Sequence, residues 1–414
     1  MFNPACWPMS ALACALAATV LAVPAAQAQS FAEALVAARA TDAVYSAKLA
    51  DVRTRRLQSR QAGSAFLPSA NVNYTQADTA YAGRDSRAVT VSQPILNYDR
   101  YLQYQQGDPL ALQAEAEARV ADNDLATRVF KAMAEVVRNR EAIRATSVQI
   151  DGLDAQYKRA QRMRELGQGT VTEVSDFEVR LAVAQANRLS LQNALQAAQR
   201  NFTLVTGLLP KPATLSVDGA APPPDGRPLD ELVAQVRRSE PSVVVAAQNL
   251  EIARLASKRS WAQYLPTLSA QAQRTQVAGA SAVNVSRVGV VFNAPLGASS
   301  YYEQQTASVA LDRARDSLRA AEESAVTDLT NLVASVRSLD GEVRIRQRAV
   351  EAAQQAVEGN VKSYQGGVKS NIDVMTSYQN LAEAESAVVN ARLSQGETVL
   401  RLQLLLAEAP ALTR

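Results

Sequence analysis

The sequence predicts a mainly α-helical fold in which one structural unit occurs twice, each time with a β-hairpin between long helices. Three observations support this fold class. The 414 residues are 47% apolar but only 5% aromatic, which favours long helices with thin interfaces over a compact mixed core. The second half of the chain repeats the first at an offset of about 198 residues. The longest helical segments carry an apolar residue at every seventh position, as left-handed coiled coils do.

The N-terminus has the features of a secretory signal peptide, which we predict over residues 1–28. An apolar stretch at 11–26 is followed by small residues at 26–28 that suit a signal peptidase. The first ten residues lack the usual Lys or Arg, and the stretch is short for a membrane anchor, the alternative reading. Cys6 and Cys14 both precede the cleavage point, so we expect an exported chain without disulfides.

Composition also excludes several functional classes. The chain contains no His, and no Cys after the predicted cleavage point. Zinc sites built on these residues, Cys nucleophiles and His-based triads are therefore excluded. We expect no enzyme activity, no metal and no cofactor. The 43 basic and 40 acidic residues are mixed along the chain, without the dense basic block typical of nucleic-acid binding.

The internal repeat sets the expected domain organisation. The aligned pairs are Glu33 with Glu231, Leu67 with Leu265, Pro68 with Pro266, Pro94 with Pro295, and Gly169 with Gly367. We expect a first structural repeat over 29–207 and a second over 229–414. The linker between them, 208–228, is rich in Pro and Gly.

Each repeat is predicted as helix, strand, strand, long helix, Gly turn and helix. The predicted helices are 31–64, 109–166 and 172–206 in the first repeat, and 229–262, 302–363 and 371–407 in the second. The predicted strands are 67–77 and 86–96, then 265–276 and 286–296. The prolines expected at helix–strand junctions, where a missing N–H does least harm, are Pro68, Pro94, Pro266 and Pro295.

The predicted strands alternate apolar and polar residues, as the wall of a membrane barrel does. In the first strand, Asn71, Asn73 and Thr75 alternate with Val72 and Tyr74. The polar side is a candidate pore lining, although a soluble hairpin gives the same pattern and a one-residue slip would exchange the faces. Four strands leave two open edges, which lipid does not tolerate. One chain therefore cannot span a membrane alone, whereas several copies could.

This organisation resembles the TolC-type outer-membrane efflux protein family over essentially the whole mature chain. The motifs that carry the resemblance are FLP at 66–68, YLP at 264–266, SQPIL at 92–96, NAPLG at 293–297 and the segment 364–392. The resemblance implies a homotrimer with one 12-stranded β-barrel in the outer membrane of a Gram-negative bacterium. Its helices would continue as a hollow tunnel into the periplasm.

The resemblance also implies a function in transport. The expected partners are outer-membrane lipid, a periplasmic adaptor protein, and an inner-membrane pump or ABC exporter. Drugs, small molecules or unfolded proteins would leave through the tunnel, as in efflux and type I secretion. The alternative is a periplasmic coiled-coil adaptor or structural protein without a barrel. A soluble scaffold would not need hairpins at the same place in each repeat.

The resemblance places a gate at the periplasmic tip of the tunnel. It implies tip turns at Gly169 and Gly367, and closing contacts from Tyr364, Lys369 and Asp373. The family often has a second acid one turn later, where this chain has Thr376. The corresponding acid of the first half is Asp176, with one extra residue separating it from Gly169. The alternative is that Asp373 and Asp176 are ordinary first-turn helix acids, which the helix dipole favours.

Overall fold

A computed structural model of the chain describes residues 30–76, 85–211, 227–277, 283–294 and 299–408. The predicted signal peptide, most of the predicted linker and Pro295 lie outside these ranges. The described helices are α1 (Phe31–Thr41), α2 (Ala43–Gly63), α3 (Tyr98–Gln105), α4 (Gly107–Glu165), α5 (Val171–Thr206), α6 (Leu229–Ser239), α7 (Pro241–Ala262), α8 (Ser299–Gln365) and α9 (Asn371–Leu405). The described strands are β1 (Ser69–Thr75), β2 (Ser86–Leu96), β3 (Thr267–Val277) and β4 (Val283–Asn293).

The helices predicted over 31–64 and 229–262 are each interrupted once. Asp42 has extended backbone angles (φ −70°, ψ 118°) and ends α1, while its carboxylate accepts a hydrogen bond from the N–H of Tyr45 in α2 at 2.5 Å. Glu240 is extended in the same way (φ −65°, ψ 123°) because Pro241, the first residue of α7, disfavours a helical residue before it. The sequence-based prediction of continuous helices therefore missed both breaks.

A buried ion pair holds the first break in place. The Asp42 carboxylate accepts from both terminal nitrogens of Arg128 in α4, at 2.7 and 3.0 Å. Its side chain is 5% exposed and that of Arg128 is 26% exposed. The hydrogen bond from Arg128 is the main reason that the pKa of Asp42 lies below its ordinary value.

The long helices form the body of the molecule. At 1.5 Å per residue, α4 (59 residues) and α8 (67 residues) are about 90 and 100 Å long. Helix α4 packs against α2 and α5, and α8 packs against α7 and α9; α4 also contacts α7 and α9, which joins the two halves. The heptad residues Val129 and Val136 are fully buried, as are Leu329 and Val336 in α8. None of the described helices has the combined length and hydropathy that crossing a membrane requires.

The four strands form one antiparallel sheet in the order β1-β2-β3-β4. Pro68 and Pro266 directly precede β1 and β3. Pro94 instead lies inside β2, opposite Ser269, where the register shifts between Pro94 and Leu96. An irregular ladder tolerates a residue without an N–H. Strands β1 and β4 each have a neighbour on one side only, so this sheet has two open edges.

Candidate functional site

The strand register sorts the side chains of the sheet onto two faces, because directly paired residues in an antiparallel sheet point the same way. One face, here called the apolar face, carries Ala70, Val72, Tyr74, Arg87, Val89, Val91, Gln93, Leu96, Leu268, Ala270, Ala272, Arg274, Gln276, Asn284, Ser286, Val288, Val290 and Phe292. The other, called the polar face, carries Ser69, Asn71, Asn73, Thr75, Ser86, Ala88, Thr90, Ser92, Pro94, Thr267, Ser269, Gln271, Gln273, Thr275, Val277, Val285, Arg287, Gly289, Val291 and Asn293.

Along β2 the two faces differ in exposure as well as in chemistry. Along β2 the apolar-face residues Arg87, Val89 and Val91 are exposed, while the intervening polar-face residues are half-buried. Val72 is 74% exposed and Val288 is 86% exposed. A contiguous patch of exposed apolar side chains marks a surface for contact with a membrane or another protein. The sequence had left open which face would meet lipid; the register gathers most of the large apolar residues on one side, while Val277, Val285 and Val291 lie on the other.

Aromatic side chains cluster where the sheet meets the helices. The exposed members are Tyr98, Tyr101, Tyr104, Trp261, Tyr264, Tyr301 and Tyr302. They form pairs, including Tyr98 with Tyr101 and Trp261 with Tyr264, at centroid distances of 6.1 and 6.3 Å. Amphipathic rings at one end of an apolar sheet are typical of a membrane–water boundary.

The far ends of the long helices are joined by two turns of the same geometry. Gly167 and Gly367 both have left-handed backbone angles (φ 72° and 74°). This differs from the sequence alignment, which paired Gly169 with Gly367. Gly169 has another reason to be glycine, since a Cβ there would lie 3.0 Å from the backbone nitrogen of Arg164.

The helices that follow these turns begin with matching capping boxes. In α5 the hydroxyl of Thr170 accepts from the N–H of Glu173, and the Glu173 carboxylate accepts from the N–H of Thr170. In α9 Ser370 and Asp373 make the same exchange, at 3.3 and 3.0 Å. Glu173, not Asp176, is therefore the structural counterpart of Asp373. A Ser/Thr with an acid three residues later is a signal in the sequence that could have set this register.

Asp373 and Lys369 lie together on the exposed side of the second turn. Lys369 Nζ is 3.8 Å from Asp373 Oδ1, and each side chain is more than two fifths exposed. Hydrogen bonds from the backbone and hydroxyl of Ser370 keep the pKa of Asp373 below its ordinary value, and Lys369 acts in the same direction. The carboxylate therefore stays charged at neutral pH and in mild acid.

Tyr364 and Asp176 connect the tips of the two halves. The ring of Tyr364 packs edge-on against buried Phe177, with centroids 6.2 Å apart, and the guanidinium of Arg159 lies 5.7 Å from its centroid. Burial raises the pKa of the Tyr364 hydroxyl, with the nearby Glu173 carboxylate acting in the same direction. Asp176 accepts a hydrogen bond from Asn371 Nδ2 at 2.9 Å. Sequence reasoning named Tyr364 and Asp176 as tip residues but not their partners on the opposite half, Phe177 and Asn371.

A second contact between the halves lies above the tip. Tyr378 of α9 packs on Gly152 of α4 so closely that a Cβ at Gly152 would lie 2.2 Å from a ring carbon. Burial raises the pKa of Tyr378, against the effect of a hydrogen bond with Gln156. Both tyrosines belong to the periphery of one hydrophobic cluster centred on Leu153 and Phe177. Nothing in the sequence pattern marks Gly152, because the notch exists only where α9 crosses α4.

In the part of the chain that the structure describes, no three His, Cys, Asp or Glu side chains are grouped so as to hold a metal ion. The molecule therefore combines a sheet with two different faces, a long helical body and a tip that carries charged side chains.

Solved structures with this arrangement are outer-membrane proteins. Outer membrane protein VceC from Vibrio cholerae superposes with a TM-score of 0.75 at 17% identity, covering 92% of this chain and 96% of VceC. The chain has the fold of the TolC-type outer-membrane proteins. At that identity the likeness concerns the fold alone.

Sequence comparisons agree with the TolC-type resemblance. Outer membrane protein TolC of Vibrio cholerae is 22% identical over 358 residues, 82% of each chain. The proteases secretion protein PrtF of Dickeya chrysanthemi is 26% identical over 233 residues, 53% of this chain. The chain spans only half of PrtF in that alignment, and 39% of the alkaline protease secretion protein AprF of Pseudomonas aeruginosa. No family model matches the chain.

Proposed function

We propose that this protein is an outer-membrane channel-tunnel that exports substrates delivered by an inner-membrane pump through a periplasmic adaptor. The observation that carries the proposal is the four-stranded sheet, with an exposed apolar face, a polar face and two open edges. A lipid-facing side, a water-facing side and edges available for other chains are what a segment of a membrane barrel needs.

The open edges support a homotrimer. Four strands cannot close a barrel, and membrane barrels have eight or more. If β4 of one chain pairs with β1 of the next, three copies give 12 strands and leave no edge. The polar face then lines the pore and the apolar face meets lipid. Exposed Tyr98 and Trp261 lie at the periplasmic boundary of the bilayer.

The tip is the gate of the tunnel in this proposal. Three copies of Asp373 form a ring of carboxylates that favours cations. Lys369 pairs with this acid inside one chain, while Tyr364 and Asp176 tie the second tip turn to the first half. Opening requires the α8–α9 tip to move away from α4 and α5, which breaks the contacts of Tyr364 with Phe177 and of Asn371 with Asp176. Gly367 and Gly167 provide the tight turns, and Gly169 a close backbone approach.

The adaptor docks on the helical body above the tip. A groove between α4, α5 and α9 has an apolar strip of Ala142, Val183, Ala184, Leu191, Ala382 and Ala387, flanked by polar residues that include Arg180, Asn187, Glu383 and Asn390. Small apolar residues flanked by polar ones in a groove between helices suit an amphipathic helix of a partner protein. The names of the relatives suggest two kinds of cargo: protease secretion for PrtF and AprF, and efflux for BepC of Brucella suis.

Membrane fractionation combined with planar-bilayer recording tests the channel. We expect a detergent-stable trimer in outer-membrane vesicles that conducts ions after reconstitution. A soluble periplasmic monomer without conductance would instead support the coiled-coil structural alternative. Comparing the secretome and the drug susceptibility of a gene deletion with those of the complemented strain distinguishes protein cargo from small molecules.

A further inference from the structure

Two arginines stand on the apolar face of the sheet, at the end away from the helices. Arg87 is the second residue of β2, and Arg274 lies three residues before the end of β3. The row of paired residues through Arg87 is Tyr74, Arg87, Gln276 and Asn284, and the row through Arg274 is Val72, Val89, Arg274 and Ser286. The next row towards the helices is wholly apolar: Ala70, Val91, Ala272 and Val288.

The two guanidinium groups are placed to act on one ligand. Arg87 pairs with Gln276, and Arg274 is two residues from Gln276 on the same strand. Such diagonal neighbours are about 7–8 Å apart, within joint reach of two long side chains. Arg87 also lies over the ring of Tyr74, 5.6 Å from its centroid, which limits the directions it can take.

Within the described part of the chain, no salt bridge includes Arg87 or Arg274. An acid beside this site is Asp85, which accepts a hydrogen bond from the Tyr74 hydroxyl at 3.1 Å. A positive charge on the lipid-facing side of a barrel is costly at the middle of the bilayer but is tolerated near the interface. Both arginines therefore belong at the outer boundary of the membrane, where lipid headgroups lie.

We propose that Arg87 and Arg274 form a binding site for the phosphate groups of a lipid headgroup in the outer leaflet. The guanidinium fork matches phosphate oxygens in charge and in geometry. The apolar row directly beneath the arginines contacts the acyl chains of the same molecule, and this contact distinguishes a lipid from a free phosphate ion. The site rests on the proposed function, since it requires the apolar face to meet the outer leaflet.

The test measures binding of diphosphoryl lipid A to the detergent-purified full-length chain by native mass spectrometry. We expect Arg87→Gln and Arg274→Gln each to weaken binding roughly fivefold and the double variant to weaken it about 25-fold, because one cation near a lipid phosphate contributes roughly that factor. Arg287→Gln is the matched control. Arg287 pairs with Gln273, next to Arg274 in β3, but it lies on the polar face. This control should change binding less than about twofold.

Two further ligands separate the sources of the effect. Lipid A without phosphates should bind the wild type as weakly as diphosphoryl lipid A binds the double variant. Inorganic phosphate at the same concentration should not compete, because it lacks the acyl chains. The proposal is overturned if the double variant binds diphosphoryl lipid A as tightly as the wild type does. It is also overturned if Arg287→Gln weakens binding as much as Arg87→Gln or Arg274→Gln, or if the wild type binds lipid A without phosphates as tightly as diphosphoryl lipid A. Trimer assembly and conductance of the double variant, which should be unchanged, report separately on the channel.

Discussion

At the scale of single residues, Asp42 is the side chain outside the sheet and the tip that links the most helices. It ends α1, caps α2 and pairs with Arg128 in α4, so one carboxylate fixes the relative positions of three helices. Its identity as a cap was visible in the sequence only as one acid among many. Its role depends on Arg128, which is 86 residues away in the sequence. Local propensity rules do not include such a distant partner.

Replacing Asp42 should destabilise the chain in a pH-dependent way. We expect Asp42→Ala to lower the free energy of unfolding by about 2–3 kcal/mol, because α2 loses its cap and Arg128 keeps only its exposed partner Asp124. Because the folded pKa of Asp42 is lowered, its stabilising contribution is present above its unfolded pKa and disappears as the pH falls through the folded value. Asp42→Asn keeps the cap but loses the charge. Thermal denaturation should show the wild type more stable than Asp42→Asn at pH 7, and this difference in stability should be smaller at pH 3.

Asp312→Ala is the control for this prediction. Asp312 forms an exposed pair with Arg315 on the surface of α8, and such pairs contribute less than about 1 kcal/mol. An Asp42→Ala protein as stable as the Asp312→Ala protein would contradict the assigned role.

Removing the charge of Asp373 should lower the cation selectivity of the reconstituted channel. Asp373→Asn can still accept the hydrogen bonds of the capping box, so its effect reports on charge and not on helix folding. Asp373→Ala should lower selectivity as well and also loosen the start of α9. Reversal potentials under a salt gradient measure this change. Selectivity equal to that of the wild type in both variants would remove Asp373 from the pore.

At the scale of elements, the sequence pattern predicts the long helices well and their joints poorly. The heptad positions of α4 and α8, such as Val136 and Val336, are buried, because one seam against neighbouring helices determines both pattern and packing. The breaks at Asp42 and Glu240, helix α3 and the register of the tip turns depend on backbone geometry and distant contacts. Of these features, only the break at Glu240 has a clear signal in the sequence, namely Pro241.

The contact of Tyr378 with Gly152 should control how firmly the two halves close. We expect Gly152→Ala to displace the Tyr378 ring, to destabilise the chain by about 1–3 kcal/mol through overpacking, and to raise the open probability of the channel. Single-channel recording and thermal denaturation measure the two effects. Adding Tyr378→Ala should relieve the clash but leave the tip loose.

Gly359→Ala in α8 is the matched control, because a Cβ at Gly359 would meet nothing within 4 Å. Alanine there should stabilise the helix slightly and leave gating unchanged. Equal gating in the Gly152→Ala and wild-type channels would show that this contact does not hold the tip.

At the scale of the whole molecule, the open edges of β1 and β4 should pair between chains. Within one sheet these strands are separated by two others, about 14 Å apart, which is too far for a disulfide. A cysteine at Asn73 in β1, combined in turn with one at each position from Asn284 to Phe292 in β4, should therefore cross-link only between subunits. The chain has no cysteine after residue 28, so no background is expected.

Dimer and trimer bands on non-reducing gels are the expected result for at least one of these pairs. Pairs between Asn73 and β3 are the control, since β2 separates those strands. If every β1–β4 pair gives only monomer, the edges do not meet and the trimeric barrel is wrong.

The equal geometry of the two tip turns requires the two helical hairpins to have the same length. The turns at Gly167 and Gly367 lie side by side, held by Tyr364 on Phe177 and Asn371 on Asp176, so both hairpins must reach the same distance from the sheet. Seven residues inserted into both arms of one hairpin would carry its tip about 10 Å past the other. An insertion or deletion in one hairpin must therefore be accompanied by one of the same length in the other. The length of the helical body can change only when both hairpins change together.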